Sequence, residues 1–108
     1  MDEWAAEETL DPNDWTDMRA LSHRIIDDAV GFVRDVRDRP VWQDMPAGVR
    51  DRFSAPMPRV AAPLDEVYRE VSETVMAYPM GNIHPRFWAW YMGSGNFTGA
   101  LGDFLAAI

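Results

Sequence analysis

The sequence contains no lysine and no cysteine, and all ten of its basic residues are arginine. Without a side-chain amine, the chain by itself cannot carry out Schiff-base catalysis on lysine. Without thiols it has no disulfides, no thiolate nucleophile and no thiolate metal site. Long apolar runs are missing too: none approaches the roughly 18 residues that a membrane span requires. The first residues, Met1-Asp2-Glu3-Trp4, are acidic and have no apolar stretch behind them, unlike a secretory signal. Eighteen acids against ten arginines give a net charge of -8, the wrong sign for a nucleic-acid or anionic-membrane partner. A cytoplasmic location is the expectation from these absences.

What is present is a mainly α pattern in 108 residues, at most one small domain. Residues 1–10 are acidic with little periodicity and read as a flexible tail. Asp11-Pro12 resembles a helix start, an acidic cap followed by proline at the first helical position. Trp15, Met18, Leu21, Ile25, Ala29, Phe32 and Val36 then recur at steps of three and four, one apolar stripe on a helix of roughly 25 residues. That helix must end before Pro40, because the residue preceding proline is pushed out of helical geometry. Five of the eight prolines lie in the linker 40–63, with room for one or two helical turns between Pro46 and Phe53. A second helix follows, with Pro63 at its start, Asp65 and Glu66 in its first turn, and Leu64, Val67, Tyr68, Val71 and Val75 as its stripe. Pro79 and Gly81 terminate it. A long helix with a one-sided stripe and a proline-rich connector is compatible with an arm lying on another surface and with a self-contained hairpin.

The final segment differs in kind. Phe87-Trp88-Ala89-Trp90-Tyr91 places four aromatics in five positions, suited either to an apolar ligand wall or to the core of an interface. Gly93-Ser94-Gly95 follows. It precedes a helix, as phosphate-binding turns do, but lacks the spacing of the nucleotide-binding fingerprints, and a turn that approaches another surface explains it equally well. Thr98 to Ile108 reads as a third helix with Leu101, Phe104, Leu105 and Ile108 in phase and no stop signal, an expectation of truncation. His84, followed by Pro85, fits a turn pinned by hydrogen bonds; as a general base or ligand it lacks a second histidine or paired carboxylate nearby. His23 sits among polar neighbours on the first helix, as a surface residue. No metal site is expected.

The stretch His84-Pro85-Arg86-Phe87-Trp88-Ala89-Trp90-Tyr91, followed by Ala100-Leu101-Gly102-Asp103-Phe104-Leu105, resembles the N-terminal signature of the group II pyridoxal-phosphate (PLP)-dependent decarboxylases. These are the aromatic-L-amino-acid, tyrosine, histidine and glutamate decarboxylases. Pro40-Val41-Trp42, Met45-Pro46-Ala47 and Pro56-Met57-Pro58 resemble that family's linker. The resemblance implies a fold type I homodimer, with residues 11–81 as a helical dimerisation arm and 82–108 as a pocket-wall segment opening into a truncated large PLP domain. By the same resemblance, Trp90, Tyr91 and Met92 belong to the substrate pocket, and Gly93 and Ser94 to the vicinity of the PLP cofactor. Met92 departs from the family's usual proline, and Gly93 from its common hydroxyl residue. The family's Schiff-base lysine lies in the large domain, so the implied activity is amino-acid decarboxylation by a whole protein of which this chain is an inactive part. The partner is then a second subunit or the missing large domain, and the substrate an amino acid. The alternative is a non-catalytic helical interaction or dimerisation module.

Overall fold

A computed structural model describes residues 9–108. The acidic tail expected over 1–10 therefore lies outside the described residues, apart from Thr9 and Leu10, which are exposed and irregular. The elements are α1 (Trp15–Arg34), a short 3-10 turn (Val36–Asp38), α2 (Ala47–Arg52), α3 (Leu64–Val71), which continues as a π-helical turn (Ser72–Met76), and α4 (Phe97–Ala107). No strand occurs among the described residues, so the mainly α expectation holds.

α1 begins later than expected. Asp14, not Asp11, caps it: its Oδ1 accepts from the amides of Thr16 at 2.7 Å and Asp17 at 3.3 Å. Two bonds to amides that have no intrahelical partner outweigh the proline-first geometry available at Pro12. The helix also ends sooner, at Arg34, which leaves 20 residues or roughly 30 Å. α3 begins immediately after Pro63 as expected, with Asp65 and Glu66 in the first turn. α4 is capped by Asn96, whose Oδ1 accepts from the Gly99 amide at 2.7 Å.

α1 and α3 touch at a few points. Met18 and Leu21 share a hollow with Leu64 and Asp65, and further along Tyr68 Oη donates to Asp28 Oδ2 at 2.7 Å. The Arg24 guanidinium sits 5.8 Å from the Tyr68 ring centre. Partial burial pushes the Tyr68 hydroxyl above its ordinary pKa, and its bond to the Asp28 carboxylate adds to the effect. Side chains of the linker tie it to the segment that follows. Arg52 on α2 pairs with Glu73 at 3.3 Å, and Gln43 donates to the Ala77 carbonyl at 3.3 Å.

The core is very small. Among the described residues, those that are buried are Leu21, Thr74, Gly81 and His84. The stripe of α1 is half-buried from Met18 to Val36, whereas the α3 stripe of Leu64, Val67, Val71 and Val75 remains 39–50% exposed. α4 leaves Leu101, Phe104, Leu105 and Ile108 open to solvent. The accessible surface is 9894 Å², against roughly 6,100 Å² for a compact monomer of this mass. The radius of gyration, 18.1 Å, compares with roughly 13 Å for a compact chain of this length. No helix among the described residues is long and apolar enough to cross a membrane.

Candidate functional site

Among the described residues, chemically distinctive side chains converge at the turn after α3 and the aromatic segment it launches. Gly81 has a φ of +91°, and a Cβ there would collide with the Val41 carbonyl oxygen. Glycine is thus required both for the backbone conformation and for the close approach of the linker. The Gly81 carbonyl accepts from the His84 amide at 2.9 Å, which closes the turn.

His84 is 7% exposed, and both of its ring nitrogens are engaged. Nε2 lies 3.0 Å from the Arg39 carbonyl, which can only accept, so the proton belongs on Nε2. Nδ1 then carries the lone pair and accepts from the Arg86 amide at 3.0 Å. The imidazole has no free lone pair to offer a substrate. Pro85 and Arg86 are exposed on the outside of this turn.

Beyond the turn, Phe87 is half-buried and meets Trp90 edge-on, with ring centres 5.9 Å apart and planes at 62°. Trp90 reaches this position with a φ of +51°, a left-handed conformation that costs a residue with a Cβ roughly 1–2 kcal/mol. Phe87, Trp88, Ala89 and Trp90 form one side of an open apolar hollow of about 340 Å³, and Val41, Trp42 and Met80 form the other. Trp90 is nevertheless 72% exposed. The lining is apolar and aromatic, and its side chains carry no polar groups other than the indole N–H donors of Trp42, Trp88 and Trp90.

Of the residues expected at a substrate pocket, the fold brings Trp90 to this hollow and leaves Tyr91 and Met92 outside it. Tyr91 is fully exposed and Met92 about half-exposed. Gly93 enters only through its backbone, its carbonyl accepting from Asn82 Nδ2 at 3.4 Å. Ser94 is exposed and makes no hydrogen bond with another described residue. Sequence reasoning did not place Val41, Trp42 and Met80 here. The one available signal was Trp42, an isolated large aromatic in a proline-rich linker. No group of acidic or histidine side chains able to hold a metal ion occurs among the described residues.

PLP enzymes of the kind resembled hold their cofactor as an imine with a lysine amine. This chain has no lysine, and the hollow has no charged side chain to meet a phosphate or a pyridine nitrogen. The residues present therefore do not fit the cofactor on their own.

Comparison with known proteins gives a consistent but distant signal. The chain is 25% identical over 101 residues to tryptophan decarboxylase 1 of Oryza sativa subsp. japonica, covering 93% of this chain and 20% of the relative. It is 24% identical over 102 residues to tryptophan decarboxylase 2 of the same plant, covering 94% and 20%. It is 22% identical over 96 residues to the aromatic-L-amino-acid decarboxylase of Catharanthus roseus, covering 88% and 19%. The chain thus spans about a fifth of the length of the curated relatives it matches. No family model matches it, and no solved structure does.

Proposed function

We propose that this chain is the N-terminal segment of a PLP-dependent amino-acid decarboxylase, supplying subunit contacts and one aromatic wall of the substrate pocket, and inactive by itself. The observation that carries the reading is the similarity to three decarboxylases along nearly the whole of this chain and only a fifth of theirs. The fold supports it in two ways. The exposed α3 stripe and α4 are faces of the kind that a larger protein covers. The hollow beside Trp90 has the apolar, aromatic character that suits an amino-acid side chain, and the lack of lysine assigns the imine to another part of the protein. Within that reading Trp90 contacts substrate, Tyr91 and Met92 adjoin it, and Gly93 and Ser94 approach the cofactor.

Two measurements test this. The chain mixed with PLP and an aromatic amino acid should release no CO₂; release would refute inactivity. A protein encoded with this segment and a lysine-bearing domain should release CO₂ from an L-amino acid, and Trp90→Ala in it should raise KM more than it lowers kcat. If it has no such activity with any proteinogenic amino acid, the decarboxylase reading fails.

A second reading, a helical interaction module without catalysis, is favoured by one observation: roughly 3,800 Å² of surface beyond that of a compact monomer. A coding sequence with no lysine-bearing domain, together with stable association of the chain, would select it.

A further inference from the structure

A set of contacts that the proposed function does not use joins the long helix to the aromatic segment, and it is centred on Arg39. Nη1 of Arg39 donates to the Phe32 carbonyl at 2.7 Å, in the last turn of α1, where backbone acceptors run out of amide donors. Its guanidinium carbon also lies 3.8 Å from the centre of the Phe32 ring, a cation over an aromatic face. The side chain is therefore clamped to the end of α1 twice, and only a planar, permanently charged fork can stack and donate at once.

The backbone of the same residue faces the other way. The Arg39 carbonyl receives the His84 Nε2 proton at 3.0 Å, between residues 45 apart in sequence. His84 passes the contact on: its Nδ1 accepts from the Arg86 amide at 3.0 Å, and its own carbonyl accepts from the Phe87 amide at 2.9 Å. The Phe87 ring then meets the edge of Trp90.

We infer that Arg39 is a positioning residue for the aromatic segment: by gripping the end of α1 it holds the carbonyl that, together with the Arg86 amide, fixes the His84 tautomer, and the oriented imidazole sets the start of the Phe87–Trp90 wall. The link makes the wall sensitive to whatever covers α1, since Phe32 belongs to the α1 stripe. Only the description of the segment as a pocket wall rests on the decarboxylase reading; the mechanical link does not.

The test is Arg39→Ala and Arg39→Lys in the whole chain, read by the ¹⁵N shifts of the His84 ring and by amide hydrogen exchange. The native chain should show the tautomer with the proton on Nε2. R39A should mix the tautomers and speed exchange at Arg86 and Phe87 about tenfold, as expected when a hydrogen bond to a charged group is lost, while exchange inside α1 and α3 is unchanged. R39K, which keeps the charge and a donor but lacks the planar fork, should restore the tautomer only in part. An unchanged His84 signature in R39A would overturn the inference. So would loosening spread evenly over α1 and α3, or outright unfolding, because the role would then be general stability. Neither readout involves cofactor or turnover, so this inference and the proposed function fail independently.

Discussion

Replacing Gly81 by alanine perturbs the turn at its tightest point. The backbone φ of +91° is one that a residue with a Cβ adopts at a cost of roughly 1–2 kcal/mol. The added Cβ also collides with the Val41 carbonyl oxygen, which is backbone and cannot rotate aside as a side chain could. Relief requires the linker or the turn to move, and that sacrifices the bond from the His84 amide to the Gly81 carbonyl, worth roughly 0.5–1.5 kcal/mol net. Together these predict a loss of about 2–3 kcal/mol. In a chain of this size, that lowers the thermal midpoint by roughly 10–20 °C. The assay is thermal unfolding followed by helical circular dichroism, with Gly31→Ala as the control. A Cβ on Gly31 meets nothing, and in the interior of α1 alanine should stabilise by up to about 1 kcal/mol. An unchanged midpoint for G81A, or equal shifts for the two variants, would refute the placement of the linker against this turn.

Asp14→Ala should cost about 0.5–2 kcal/mol and speed exchange of the Thr16 and Asp17 amides, whereas Asp11→Ala should do neither. Because the folded chain raises the Tyr68 pKa, the stabilisation linked to that hydroxyl is complete below about pH 10, the value in an unfolded chain. It is lost as pH rises through the higher folded value, and ultraviolet titration of the phenolate with alkaline unfolding of Tyr68→Phe as reference checks the sign. Val67→Asp combined with Val71→Asp should abolish self-association of the chain in sedimentation, since it places two charges on the exposed apolar stripe of α3; wild-type chain that sediments as a monomer at all concentrations would count against a role in subunit contact.

What the sequence by itself determined is what depends on neighbours three or four positions away. The stripe spacing, the proline at the head of α3, the short helical stretch after Pro46 and the aromatic run were all legible, because helical hydrogen bonds and helical faces are local. The absence of lysine also excludes lysine Schiff-base chemistry from this chain by sequence alone. Even local signals failed where two candidates competed: Asp11 and Asp14 are both acceptable caps, and only the path of the chain chose Asp14.

Tertiary structure decided what joins positions distant in sequence. It brought Val41 and Trp42 to the aromatic hollow, set the Arg39 carbonyl against His84, and turned residue 90 left-handed so that Trp90 entered the hollow while Tyr91 did not. These pairings follow from where the linker passes the turn at Gly81, a close backbone approach that no periodicity encodes. The same applies to burial. Both α1 and α3 advertise an apolar face, but the half-covered α1 stripe and the open α3 stripe look alike until burial is known.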